Sequence, residues 1–280
     1  MTAQQSTIGR ETRFSGKALQ TGRRVNVVCS PAGSGKGITF SRTDAGGEGT
    51  VSLNEMAVCS GPSRRTTIGS GGVRIQTVEH FLAALWCLGI DNIRVEIDGE
   101  EFPALDGSPM GFIECLKAAG TRELGDAKRP IKILEPIRVE DRGRYVSVLP
   151  HETFAVSYLI DYRTKCIGKQ KLEMELDGGS FEREIAPART FCTAREALIL
   201  RLMGLGRGAN FDNTLVLTAK GPIRTKFRFP DEPVRHKVAD LVGDLYMLGR
   251  PLIGRVVADR SGHRLNGMLV KRIYEIYAAQ

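Results

Sequence analysis

Two segments of the sequence, 78–99 and 234–259, follow the same pattern, and this repetition constrains the fold more than any other feature. Each begins as an apolar helix with a histidine at its third residue, His80 in one and His236 in the other. Each helix runs to a Leu-Gly pair and leads into a strand. Self-similarity along a chain indicates repeated structural units. If the two units face each other, the two histidines meet at their interface.

Local sequence signals predict a chain of mixed α and β structure. Alternating apolar residues predict strands over 23–29, 92–97, 145–149 and 155–160. Thr77 and Gly89 are the expected caps of a first helix. Further helices are predicted over 108–120, 194–203, 233–248 and 265–277. Strands in runs with intervening helices predict the α+β fold class.

The polar stretch 125–130 ends in proline and is the best candidate for a domain linker. With 280 residues, the chain is long enough for two domains, each with its own core. We therefore predict an N-terminal domain, 1–125, and a C-terminal domain, 126–280. The first carries Glu79 and His80, and the second carries His236, Asp240 and His263.

Composition narrows the class of protein and of partner. The N-terminus is polar, no apolar run reaches the roughly 18 residues of a spanning helix, and the six cysteines form no C-x-x-C pair. These features predict a cytoplasmic protein with free thiols. The net charge of +8 indicates an anionic partner. With 6% aromatic residues and no aromatic-basic ladder, the sequence argues against nucleic acid.

The helix over 233–248 places His236 and Asp240 on one face, since residues four apart lie side by side on a helix. Zinc accepts both donor types, and a catalytic zinc site needs three protein ligands and one open position. A polar pair on an exposed helix surface is the competing interpretation. Asp244, a further turn along an otherwise apolar helix, favours the functional one because unpaired buried charge is costly.

His80 is the candidate third ligand, with Glu79 beside it at a helix start. The positive end of the helix dipole keeps a carboxylate ionised and a histidine neutral, the states that a base and a metal ligand require. A hydrogen-bonded core histidine is the alternative for His80. His263 follows Ser261-Gly262 between a strand and a helix, a type of junction that often carries catalytic residues.

Short segments in collinear order along nearly the whole chain resemble the UDP-3-O-acyl-N-acetylglucosamine deacetylases, zinc amidases of lipid A biosynthesis. These segments are 14–22, 65–68, 77–80, 89–92, 98–99, 103–108, 188–191, 211–213, 231–237, 243–246 and 261–263. The resemblance implies two domains, each with a β-sheet packed against helices, and an active site between them. It also implies a nucleotide-sugar lipid precursor as substrate. We further expect a monomer and transient contact with the cytoplasmic membrane face.

The resemblance implies a role for each matching residue. The implied zinc ligands are His80, His236 and Asp240. The implied catalytic residues are Glu79 as general base, His263 as general acid, Asp244 as the carboxylate that orients it, and Thr190 as an oxyanion-binding hydroxyl. The implied substrate-binding residues are Phe191, Lys237 and Arg260, the last with a charge suited to a diphosphate.

Some positions depart from the family's usual pattern. Gln20 replaces a histidine, Arg260 replaces a lysine, and Cys192 replaces a glycine. The stretch 161–168, where the family builds its acyl-chain passage, is unusually basic. These departures bear on substrate choice, so a zinc deacetylase of another N-acetylated sugar conjugate is the first alternative. A non-catalytic binding protein of the same fold is the second, and the full set of base, acid and ligands argues against it.

Overall fold

The computed structural model describes residues 3–45, 50–53, 65–70 and 72–277. Its N-terminal part contains β1 (Gln4–Ile8), β2 (Thr12–Lys17), β3 (Arg24–Pro31), β4 (Ile38–Arg42), β5 (Thr50–Ser52), β6 (Thr67–Ser70), β7 (Val73–Gln76), α1 (Glu79–Leu88), β8 (Ile93–Ile97), α2 (Met110–Ala119) and β9 (Thr121–Ala127).

The C-terminal part has a similar order of elements, with two short helices and a small three-stranded sheet ahead of its histidine-bearing helix. It contains β10 (Ile131–Lys132), β11 (Ile137–Asp141), β12 (Arg144–Leu149), β13 (Phe154–Asp161), β14 (Lys169–Glu175), α3 (Gly178–Glu184), β15 (Phe191–Thr193), α4 (Ala194–Leu202), β16 (Leu215–Thr218), β17 (Gly221–Pro222), α5 (Glu232–Tyr246), β18 (Leu252–Asp259) and α6 (His263–Tyr277).

The main sheets of the two parts share one topology. The first runs β2-β3-β8-β4-β5, and the second runs β11-β12-β18-β13-β14, with β10 added beside β18. In both, the central strand pairs antiparallel with one neighbour and parallel with the other. In both, that strand follows a helix that carries a histidine, and another helix comes after it. The α+β fold class with two related units, predicted from the repeated pattern, is therefore confirmed.

The two histidine-bearing helices, α1 and α5, pack directly against each other. Gly243 of α5 permits this approach, because a Cβ atom there would lie 1.9 Å from the carbonyl oxygen of Glu79. The apolar face of α5 is buried in the core, as shown by Val234, Val238 and Leu241. Burial of apolar surface and close packing therefore fix the relative position of the two helices.

Most predicted elements are present, with small differences at their ends. The four predicted strands correspond to β3, β8, β12 and β13, and the helices to α1, α2, α4, α5 and α6. Gly89 ends α1 in the left-handed conformation as expected. The prediction of Thr77 as the N-cap was wrong: α1 is preceded by Val78, and the Thr77 hydroxyl donates instead to Glu101 Oε1 at 3.3 Å. Helix α3 was not predicted.

Two further sequence expectations concern the chain as a whole. No helix in the described ranges is long and apolar enough to span a membrane. Five cysteines are free thiols, and the sixth, Cys59, lies outside the described residues. The predicted linker 125–130 overlaps the end of β9, which pairs antiparallel with β1.

Candidate active site

Three buried side chains from α1 and α5 converge where these helices meet. The Nε2 atoms of His80 and His236 each lie 3.3 Å from Asp240 Oδ1. One ligand atom from each of the three residues falls within 4.8 Å of the others. The local reason is simple: one helical turn separates His236 from Asp240, and the packing of α1 on α5 brings in His80. The three predicted metal ligands are therefore together in space.

The protonation states of this cluster suit a divalent metal. His236 Nδ1 lies 3.0 Å from the Ala188 carbonyl oxygen, which can only accept, so Nδ1 carries the proton and Nε2 is free to bind. Burial lowers the pKa of His236 to about 3. Burial alone would raise the pKa of Asp240, but the neighbouring His236 and Lys237 outweigh burial and hold this pKa well below its usual value. Two histidines and one carboxylate, with a carbonyl orienting a ring, form a donor set that fits catalytic zinc.

Glu79 is buried beside the cluster, at the first position of α1. The Thr66 backbone N–H donates to Glu79 Oε2 at 3.1 Å, and His263 Nε2 lies 3.8 Å from Oε1. Burial raises the pKa of this carboxyl group, while the nearby His263 and His80 act in the opposite direction. A carboxylate with a raised pKa next to a metal site is a suitable proton acceptor.

His263 faces the same space from the start of α6. Its Nδ1 lies 2.9 Å from Asp244 Oδ2, and its Nε2 lies 3.8 Å from Asp240 Oδ2. Burial opposes protonation, but Asp244, Asp240 and Glu79 outweigh it and raise the pKa of His263 to about 9. Asp244 is itself buried and accepts a 2.7 Å hydrogen bond from Asn266 Nδ2. The ring is therefore protonated at neutral pH and can act as a proton donor.

These groups line one side of a cleft of about 530 Å³. Its wall also includes Thr190, the predicted oxyanion-binding residue, and the predicted substrate-binding residues Phe191, Lys237 and Arg260. Lys237 Nζ lies 2.5 Å from Asp240 Oδ2, so it reaches the ligand cluster itself. The Phe191 ring packs against Tyr162 and His236, with ring centroids 5.6 Å and 6.2 Å apart.

Comparisons with known proteins agree with this geometry. Residues 5–275 match the family model described as UDP-3-O-acyl N-acetylglycosamine deacetylase. This chain belongs to that family.

Curated relatives match over almost the full chain. It is 37% identical to a UDP-3-O-acyl-N-acetylglucosamine deacetylase of Phenylobacterium zucineum (strain HLK1) over 271 residues, 96% of this chain and 92% of that one. It is 38% identical to the protein of the same name from Anaeromyxobacter dehalogenans (strain 2CP-C), with coverages of 96% and 87%. For the Myxococcus xanthus (strain DK1622) protein, the identity is 38% and the coverages are 99% and 90%.

The cleft beside the metal-ligand cluster is lined by more arginine residues than the sequence analysis predicted. Besides Arg260, its wall includes Arg65, Arg142, Arg144 and Arg264. Arg260 is exposed and bonded to Asp259 Oδ1 at 2.5 Å. Arg65 lies in the matching segment 65–68, whereas no local motif marks Arg142, Arg144 or Arg264; segments that are distant in sequence bring the four together.

An apolar cavity of about 340 Å³ adjoins the deacetylase-family cleft. The two share Leu19, Gln20, Thr190 and Phe191 as lining residues. Beyond these, the cavity is bounded by β15, α4 and β16, and its lining includes Cys192, Ala194, Ala197, Leu200, Leu205, Phe211, Val216 and Ile223. Of the stretch 161–168, to which the sequence analysis assigned an apolar passage, only Tyr162 lines the cleft, and none of it lines this cavity. The apolar cavity is therefore formed by residues other than the stretch that was expected to provide the passage.

Thr66 connects the proton-transfer residues and was given no role by the sequence analysis. Its hydroxyl donates to Asp244 Oδ1 and lies 3.1 Å from His263 Nδ1, while its backbone N–H holds Glu79. The residue lies within the matching segment 65–68, but nothing local reveals these contacts, because their partners are distant in sequence. Thr66 thus bridges the candidate base and the candidate acid.

We expect Thr66→Val to lower kcat about 10- to 100-fold, since a hydrogen bond to a charged group is worth roughly 1.5–3 kcal/mol. Valine keeps the shape and the backbone N–H, so zinc content should be unchanged. Steady-state kinetics and metal analysis measure the effect, and Thr66→Ser should restore most of the rate.

Thr67 provides a matched control for this experiment. It is the next residue, it is also buried, and its hydroxyl has no hydrogen-bond partner within the part of the chain that the structure describes. Thr67→Val should therefore leave kcat nearly unchanged. Equal losses in the two valine variants would show that general packing, and not the bridge, sets the rate.

Proposed function

We propose that this protein is a zinc-dependent deacetylase that hydrolyses the N-acetyl group of UDP-3-O-acyl-N-acetylglucosamine, releasing acetate, in lipid A biosynthesis. One observation carries the proposal: a buried carboxylate and a histidine paired with Asp244 flank a His-His-Asp cluster in a basic cleft, and an apolar cavity adjoins that cleft. The relatives named above carry the same activity in their names. The site suits a substrate with an amide, a diphosphate and an acyl chain.

Zinc held by His80, His236 and Asp240 would supply Lewis-acid activation of the amide carbonyl and of water. Glu79 then takes a proton from the attacking water. His263 donates a proton to the departing nitrogen, which makes the amine a viable leaving group. Asp244 accepts a hydrogen bond from Nδ1–H of the doubly protonated His263 ring, and the proton on Nε2 is the one transferred, which leaves the neutral ring with Nδ1–H bonded to Asp244.

Other residues orient the substrate in this proposal. Thr190 presents its hydroxyl to the oxyanion that develops from the carbonyl. Phe191 lies between the cleft and the apolar cavity and packs against the sugar ring. Lys237 and Arg260 meet the polar groups of the substrate, and the surrounding arginines favour the diphosphate. The 3-O-acyl chain enters the cavity beside α4.

We infer that the catalytic groups come from two domains, 1–125 with Glu79 and His80, and 126–280 with His236, Asp240 and His263. The shared sheet topology of the two parts supports this division. The catalytic centre then forms at their interface, where α1 and α5 pack. The protein acts as a cytoplasmic monomer, and its basic surface serves an anionic substrate rather than a nucleic acid.

Shortening the acyl chain of the substrate should lower kcat/KM. Each buried methylene contributes about 0.8 kcal/mol, so removing four carbons should cost about 3 kcal/mol, which corresponds to roughly a hundredfold. The measurement compares UDP-N-acetylglucosamine with 3-O-acyl derivatives of graded length. Ala197→Phe, which fills the cavity, should reduce the rate with long chains and leave the unacylated sugar unaffected.

The same series separates the proposal from its alternatives. Equal kcat/KM for acylated and unacylated sugars would remove the lipid-precursor role and favour another N-acetylated sugar conjugate. No acetate release from any N-acetylated sugar, in protein that contains zinc, would favour a non-catalytic binding protein of this fold.

A further inference from the structure

Helix α4 exposes a large apolar surface. Leu198 is 63% exposed, Leu202 80% and Met203, at its C-cap, 68%, and Ile199 is also exposed. Leu198 and Leu202 are one turn apart, as are Ile199 and Met203, so the four side chains share one face of the helix. A contiguous apolar face of this kind marks an interaction site more often than a scattered apolar residue does.

The opposite face of α4 is turned toward the apolar cavity. Ala194, Ala197 and Leu200 line the apolar cavity, whereas none of the four outward residues does. No residue of α4 is buried, so core packing does not explain its apolar composition. A capping box between Thr193 and Glu196 fixes the start of the helix. The helix therefore separates the cavity from the surroundings, and apart from Arg201, which also lines the cavity, its cavity-facing residues are apolar like the four outward ones.

The charges around this surface indicate what it binds. Arg195, Arg201 and Arg207 are exposed on the helix and just beyond it. The only acidic residue of α4, Glu196, is bonded to Thr193 in the capping box. Exposed apolar side chains flanked by arginines suit an anionic membrane interface, where apolar groups enter the headgroup region and cations meet phosphate.

We propose that the outward face of α4, formed by Leu198, Ile199, Leu202 and Met203, docks on the surface of an anionic phospholipid bilayer. The docked helix places the apolar cavity next to the membrane, so that an acyl chain passes from lipid into the protein with little exposure to water. This purpose rests on the proposed function, whereas the docking itself is measured without any turnover.

The test is cosedimentation of the zinc-loaded protein with vesicles. The wild-type protein should bind vesicles of phosphatidylglycerol and phosphatidylethanolamine, and bind phosphatidylcholine vesicles more weakly. The double variant Leu202→Ser/Met203→Ser should partition about 10- to 100-fold less, because two apolar side chains are lost from the interface. Arg195→Gln should weaken binding about fivefold, and only at low salt.

A matched control removes two exposed apolar side chains elsewhere. Leu134 is 63% exposed and Ile276 43% exposed, both away from α4 in sequence, and Leu134→Ser/Ile276→Ser should bind vesicles like the wild type. Equal losses in the two double variants would overturn the proposal. So would absence of wild-type binding to the anionic vesicles, a result that would leave a protein partner as the occupant of this face.

A parallel assay keeps this result separate from the proposed function. Both double variants should deacetylate a water-soluble, short-chain substrate at the wild-type rate in the absence of vesicles, since neither changes a residue of the site. Protein that binds vesicles through α4 but releases no acetate would refute the deacetylase role and leave the docking surface intact. Protein that deacetylates but does not bind would refute the docking alone.

Discussion

Replacing His80, His236 or Asp240 by alanine should remove zinc from the protein and abolish most of its deacetylase activity. The wild-type protein should carry about one zinc per chain, held by the three residues. Loss of Lewis-acid stabilisation, worth several kcal/mol, should lower kcat about 10³-fold or more. Metal analysis after dialysis measures zinc, and acetate release measures the rate.

His151 is the matched control for the zinc experiment. Of the four histidines of the chain it is the one outside the site, and its ring bonds only to Thr153 among the described hydrogen bonds. His151→Ala should keep both zinc and activity. Wild-type zinc content in all three ligand variants would show that the metal is held elsewhere or that the cluster is only a polar network.

The metal cluster could be predicted from the sequence because its geometry is largely local. One helical turn fixes His236 relative to Asp240, and the apolar pattern around them fixes the helix. The repeated pattern of the sequence then links His80 to His236. The physical reason for this link is that the two repeats pack through the helices that carry the histidines.

The parts that could not be predicted depend on contacts between distant segments. Gly243 belongs to a segment that resembles the family, yet its missing side chain is what lets α5 approach the backbone of Glu79. Thr66 gains its importance from partners on α5 and α6. The prediction of Thr77 as an N-cap failed for a similar reason. Its hydroxyl group bonds to Glu101, which is distant in sequence, and not to a backbone N–H of the helix, as an N-cap would.

The residues that line the apolar cavity were not predicted from the family resemblance. The basic stretch 161–168 was expected to form the acyl passage, although its charge suits an acyl chain poorly. The structure instead bounds the cavity with α4, whose apolar residues the sequence analysis used only to predict a helix. Residues of α4 line the cavity on one face and apolar side chains are exposed on the other, with no residue buried, and helical periodicity does not separate these two arrangements.

Removing either proton-transfer group should slow hydrolysis strongly without removing zinc. Glu79→Gln keeps the size of the side chain and cannot accept a proton, so kcat should fall about 10²- to 10⁴-fold. His263→Gln should cause a loss of the same order through the leaving nitrogen. Zinc content serves as the internal control in both variants. Wild-type turnover in Glu79→Gln would mean that another residue is the base.

The rate should also follow a bell-shaped pH profile whose two limbs identify these groups. Glu79 must be ionised, and its raised pKa places the acid limb above the ordinary range of a carboxyl group. His263 must be protonated, so the rate should fall as the pH rises through about 9. Asp244 contributes most to that high pKa, so Asp244→Asn should move the basic limb down toward the ordinary histidine value and leave the acid limb nearly in place. A basic limb that stays near 9 in Asp244→Asn would assign the proton donor to a group other than His263.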